Sequence, residues 1–335
     1  MRNRLFRSVA TVSIGTVTVT RPARLTGAAL CAALALLAAV WILKDLAAVG
    51  SPADLGWSWT GDPRTHYVLR GRAATTLLDP LLLLVSVATA VAALRSRHAA
   101  SALVATGAVT LALRLPGLWA PGSGALVTAL LELALAAGLV ITAAAGRRRT
   151  EGPHEQLPGR PRTGPAVTAG ILLAAGAVTV VLWEVYRAVE LPAEVTVDRF
   201  LGGRSVIAPA LAPPPGWLSV ILVALYGTAA VSAFARARHT RAFGLLAGAF
   251  LTADGIALLA RVIHFELIPY FAEVSTVEQM YVLTAVLGSA GGIAVLVLLA
   301  GRGAPPTAPA PYGPYGSYGS YGPPPAPPYP PPPGW

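Results

Sequence analysis

The chain has 335 residues, 55% of them hydrophobic and 12% charged, and a mean hydropathy of +0.63. A soluble domain carries roughly 25% charged residues, so a water-soluble globule is excluded. The formal charge of +10 would point to nucleic acid in such a protein. Here apolar runs of about twenty residues recur, and the arginines read instead as markers of membrane side, with no nucleic-acid partner implied.

Lys44 is the one lysine among the 25 basic residues, an imbalance that fits a high-GC bacterial genome. Cys31 stands alone inside the first apolar run, which removes any intrachain disulfide or cysteine metal cluster.

Residues 1–24 read as a cytoplasmic arm. Arg2, Arg4 and Arg7 resemble a signal n-region, but Thr, Ser and Gly interrupt the next stretch, and no small-residue cleavage site succeeds the first apolar run. A retained, uncleaved first helix is expected. Within the arm, Val12 to Thr20 alternates as a short strand or extended arm would.

The expected fold is an all-α integral membrane protein of eight transmembrane helices, near 25–44, 74–94, 98–119, 124–145, 166–186, 216–235, 242–264 and 280–300. The third is the weakest, because it carries Arg114 and runs into Leu115-Pro116-Gly117. The arginines argue for keeping it. With both termini cytoplasmic, the inner segments collect Arg95, Arg97, Arg147, Arg148, Arg149, Arg236, Arg238 and Arg241 together with those of the arm. Acids such as Glu190, Glu194, Asp198, Glu266, Glu273 and Glu278 fall on the outer side. Trp57, Trp59, Trp119, Trp183 and Trp217 collect at the outer boundary as an interfacial belt. These features place the chain in a bacterial plasma membrane.

Residues 25–145 and 166–300 read as tandem four-helix repeats joined by a cytoplasmic linker at 146–165. Ala48-Val49 with Pro52-Ala53-Asp54 matches Ala188-Val189 with Pro192-Ala193-Glu194. Arg95-Ser96-Arg97-His98 matches Arg236-Ala237-Arg238-His239 at almost the same offset. An even number of spans per repeat makes the repeats parallel. The outer loops, 45–73 with His66 and Tyr67 and 187–215 with Pro213-Pro214-Pro215, form either a small cap or loosely ordered segments.

Ionisable side chains in a span cost at least about 2.5–3.5 kcal/mol at mid-bilayer and so face other helices or water. Asp79, Arg114, Glu132, Asp254 and Arg261 form the candidate polar cluster. At about 1.5 Å per residue, Glu132 and Asp254 lie roughly 12 Å below the outer surface, Asp79 about 8 Å and Arg114 about 6 Å. Two readings stand. In one, Glu132 and Asp254 bind a cation or proton in an outward vestibule whose mouth Arg114 and Arg261 guard. In the other, Asp79 pairs with Arg114, Asp254 is hydrogen-bonded or protonated, and the set fixes helix packing.

Gly244 with Gly248 and Gly288 with Gly292 make GxxxG pairs suited to internal packing rather than a dimer face. No phosphate loop, nucleophile elbow, HExxH or dinucleotide fingerprint occurs. No enzyme activity, cofactor or metal is expected.

Residues 301–335 read as a disordered Pro/Tyr/Gly-rich tail. In it Tyr312, Tyr315, Tyr318 and Tyr321 recur every third residue, the period of polyproline II. Besides the bilayer, the expected partners are a protein docking on this tail and a small solute or ion. The preferred function is a non-enzymatic scaffold that recruits partners; the alternative is a permease or ion-coupled transporter built around Glu132 and Asp254.

Overall fold

In the computed structural model, residues 17–61, 73–96, 98–119, 123–149, 161–206 and 208–301 are described. Ten α-helices are found among them. Five belong to the first half: α1 (Arg21–Val49), α2 (Pro52–Trp59), α3 (Leu78–Arg95), α4 (Ala99–Arg114) and α5 (Ser123–Ala145). The second half has α6 (Thr163–Glu190), α7 (Ala193–Leu201), α8 (Pro215–Phe234), α9 (Thr240–His264) and α10 (Thr276–Ala300). All but α2 and α7 are long and apolar enough to cross a membrane.

The third span survives its proline because α4 tightens at its end into a 3-10 turn, Leu115–Leu118, which takes Pro116 and Gly117 without a break. α1 and α6 are longer than their apolar runs suggest. α1 continues past Lys44 and Asp45 to a left-handed Gly50, whose N–H returns to the Leu46 carbonyl. At the other boundary Pro22 sits in the first turn, so residues 21–24 belong to the helix rather than to an arm. A capping box of Ser275 and Glu278 opens α10 four residues before its expected start.

One departure from an all-helical chain occurs. Val17–Val19 pairs antiparallel with Arg147–Arg149, so the alternating arm does form a strand where it is described, and it ties the chain's start to the segment after α5. Residues 1–16, most of 146–165, Arg97, His66, Tyr67 and the tail from Arg302 lie outside the described residues.

Both sets of four long helices close into rings with the same neighbours. First packs on second, second on third, third on fourth and fourth on first. In each, a short helix, α2 or α7, follows the first long one at the same end of the bundle. The sets meet where α4 lies against α8 and α9, and α3 against α9. One core runs through this junction, from Leu82, Val109 and Leu113 to Leu225, Tyr226, Phe250 and Leu251.

Outward faces carry large apolar side chains. Leu36, Leu43, Leu84, Ile141, Val231 and Val297 are each more than 60% exposed. Hydroxyls turn inward instead, as in the buried 2.7 Å contact between Thr89 and Thr106 Oγ1 atoms. This inversion suits a hydrocarbon surround. Trp57, Trp59, Trp119, Trp183 and Trp217 all gather at the end that carries α2 and α7.

Small residues set the helix spacing. A Cβ added at Gly255 would collide with the Ser289 amide nitrogen, and one at Gly288 would lie 2.8 Å from the Gly255 Cα. Gly244, Gly248 and Gly292 likewise face Leu299, Val295 and Thr252 across the α9–α10 contact. Both GxxxG pairs therefore serve internal packing. Gly107 plays this part in α4, where a Cβ would meet the Ala136 carbonyl of α5 at 2.8 Å.

Gly255→Ala is expected to lower the melting temperature of detergent-purified protein by several degrees or to abolish its monodisperse peak. At Gly227 of α8 a Cβ meets nothing within 4 Å, and Gly227→Ala should leave stability unchanged or gain up to about 1 kcal/mol from helix propensity. Equal behaviour of the two variants would contradict the packing.

Candidate functional site

Asp79 lies in the first turn of α3, where its carboxylate accepts the Thr76 N–H at 2.7 Å and so closes the helix start. Its other oxygen, Oδ1, faces Arg114 Nη2 at 2.5 Å. Glu132 of α5 reaches the same guanidinium, with Oε2 2.6 Å from Nε and a longer hydrogen bond of 3.4 Å from Nη2 to Oε1. The shorter Nε contact is an ion pair whose N–H does not aim along a hydrogen-bond line. Nη1 donates to the Leu211 carbonyl at 2.7 Å. All three residues are buried, at 3% exposure or less.

One guanidinium thus joins α3, α4, α5 and the segment before α8. The void beside it is only about 20 Å³. A buried cation needs paired, hydrogen-bonded anions, and here they fill the space that a solute would need.

Asp254 and Arg261 are elsewhere. With α2, the start of α3, residues 208–215 and α8, their helix α9 encloses a cavity of about 530 Å³ between the two halves. Asp254 sits deep in the bundle, yet its side chain is exposed, because the space around it is this cavity. Among the described residues no ion-pair partner within 4 Å and no hydrogen bond holds it. Arg187 and Arg261 act on it only through the longer-range field. Arg261 Nε is buried without a hydrogen-bond partner. Apolar residues form most of the wall, with Leu78, Leu81, Leu222 and Phe250 on two sides and Trp59 at the loop end.

The five expected site residues therefore divide three and two. Glu132 shares no vestibule with Asp254, and Arg114 guards no mouth, since both are consumed by the triad. Of the packing reading's two alternatives for Asp254, a hydrogen bond or a proton, no hydrogen bond is found among the described residues. The two sites touch back to back: Thr76 lines the cavity and donates to Asp79, while Leu211 precedes the cavity residue Ala212 and accepts from Arg114.

Three polar residues with structural consequence stand outside the expected cluster. Asp45 is 2% exposed and accepts from the Ala74 and Thr75 amides and from the Thr75 hydroxyl. Its adjacency to Lys44 reads as a helix boundary, although α1 continues through it. Glu184 receives Arg187, Arg199 and Ser219, fastening α7 and α8 to α6; its signal is the Glu184/Arg187 spacing inside an apolar run. Tyr226 is 1% exposed, its hydroxyl has no hydrogen-bond partner among the described residues, and it lies within the electrostatic reach of Asp254.

At the bundle end, the Ser205 hydroxyl and then its amide bond Asp198 and hold that exposed carboxyl below its usual range. The turn needs Gly203, where a Cβ would fall on the Asp198 carboxylate. Among the described residues no group of three or more His, Cys, Asp or Glu is placed to hold a metal ion. No family model, curated protein or solved structure matches the chain.

Arg114→Met should destabilise the protein by about 3–5 kcal/mol, the usual cost of orphaning buried charges. The combination Asp79→Asn, Arg114→Met and Glu132→Gln should recover most of that loss in thermal unfolding. If Arg114→Met alone melts like the parent, the triad is not a structural clamp.

Proposed function

We propose that this chain is a multi-pass plasma-membrane protein of bacterial type that receives a small solute from outside, as a permease or solute-responsive protein, through the cavity around Asp254. The observation that carries the reading is a carboxylate, Asp254, that is exposed to a mostly apolar cavity and has no ion-pair or hydrogen-bond partner among the described residues. A charge in such a place is costly unless water or a ligand meets it. Roomy, apolar cavities with a few convergent polar groups, set between bundled elements, are where small molecules bind.

The scaffold reading draws on the outer loops and on the Pro/Tyr-rich tail, residues 301–335, which from Arg302 lies outside those described. The cavity gives the solute reading its support in geometry. Glu132 has no place in it.

Side assignment follows the arginines. The end with Arg95, Arg147, Arg236, Arg238 and Arg241 is cytoplasmic and holds both termini, and the end with α2, α7 and the tryptophans faces outward. The cavity then opens to the outside. Tandem duplication accounts for the matching helix rings, for His98 and His239 preceding α4 and α9 alike, and for Gly107 and Gly248 sharing one register between those histidine-led helices. No catalytic step is assigned to the chain.

The test uses a Cys31→Ala background with one new cysteine, Ala253→Cys, on the cavity wall. A small membrane-impermeant methanethiosulfonate added outside intact cells should modify it. Ala105→Cys, at a position 1% exposed, should stay unmodified in the same cells. An unreactive residue 253 in folded protein overturns the proposal.

A further inference from the structure

The cavity holds two opposite charges, and neither is satisfied among the described residues. Asp254 and Arg261 both line it, neither makes a hydrogen bond or close ion pair among the described residues, and the Arg261 Nε is buried and unpartnered. Seven residues apart on one helix, they fall on nearly the same face, displaced along the axis by about 10 Å. They are therefore held apart by the helix rather than free to neutralise each other at contact distance.

Between them the wall is apolar. Ala257 stands one turn from each, and Leu78, Leu218 and Pro213 come from the facing elements. Phe250, one turn deeper than Asp254, and Trp59, near the loop end, add aromatic surface. A simple cation would leave Arg261 unpaired, and a simple anion would leave Asp254 unpaired. Each residual charge would keep its desolvation cost. A ligand with both charges, set apart by an apolar stretch, meets both and covers the wall between them.

We propose that the cavity binds a zwitterion whose ammonium group pairs with Asp254 and whose carboxylate or phosphate pairs with Arg261, with an apolar spacer between. This ligand assignment rests on the outward cavity proposed as the solute site. The same pair of charges is offered by a free ω-amino acid, across a polymethylene spacer, and at shorter separation by a zwitterionic lipid headgroup, whose spacer is two carbons. Binding is non-covalent and needs no co-reactant.

The experiment uses full-length Cys31→Ala, Ala253→Cys protein in nanodiscs of phosphatidylglycerol, which contain no zwitterionic headgroup. The readout is the rate of thiol modification at residue 253. Millimolar 8-aminooctanoate should slow modification more than octylamine or octanoate does. Asp254→Asn and Arg261→Gln should each weaken that protection about tenfold, the loss expected for one charge-assisted contact. Thermal melts taken in parallel identify any variant that has lost its fold, and the other variant then carries the comparison.

Protection when phosphatidylethanolamine replaces part of the disc lipid assigns the source to a headgroup, and protection by the free amino acid alone assigns it to a solute; either supports the proposal. Equal protection by octylamine, indifferent to Arg261→Gln, overturns the zwitterion and leaves a cation cavity. Modification that no compound slows also overturns it. A residue 253 that never reacts overturns the outward cavity itself, and the zwitterion with it.

Discussion

A guanidinium buried among apolar helices decides how the rest of this molecule is arranged. Arg114 would be costly where it stands without Asp79 and Glu132, and meeting both requires the ends of α3, α4 and α5 to converge on one point. Its remaining contact, to the Leu211 carbonyl, reaches into the second half and fixes the segment that leads to α8. The Trp217 indole, donating to the Ala112 carbonyl at 2.9 Å, braces the same junction. The clamp therefore sets one wall of the cavity, whose opposite wall is α9.

The two halves use one scaffold for different ends. When His98 is laid on His239, Arg114 falls at Gly255, next to Asp254. In the first half that level is filled by a charge triad that leaves almost no void. In the second it is occupied by a glycine, which lets α9 and α10 touch at backbone distance, and by a carboxylate turned to open space. Under the proposed duplication, one bundle keeps its ion pairing while the other gives it up for the proposed solute cavity. Unpaired charge at a working site is a familiar cost to stability.

Much of this arrangement is legible in the sequence, for reasons that can be named. Eight spans follow from apolar length, which needs only composition along the chain. The third span is the weakest in sequence because Pro116 and Gly117 break an α-helix, yet a 3-10 turn accommodates both. Boundaries slip where polar residues sit inside helices, as at Asp45, since a sequence does not show that the Ala74 and Thr75 amides return to cap it. The site residues are recognisable one by one as ionisable groups in apolar runs. Their grouping is not, because helix spacing gives depth and face but not which helices adjoin. Depth alone puts Glu132 with Asp254, whereas helix packing gives Glu132 to Arg114 and leaves Asp254 to the cavity.

On the proposed reading, Glu132 belongs to structure and Asp254 to the solute cavity, and the thermal stability of Asp254→Asn tests that division most directly. If Asp254 is an unpaired group held for a ligand, its neutral isostere should melt at or above the temperature of the parent protein in the absence of solute. A melting temperature lowered by many degrees would mean that Asp254 is a packing element after all, and would contradict the central claim.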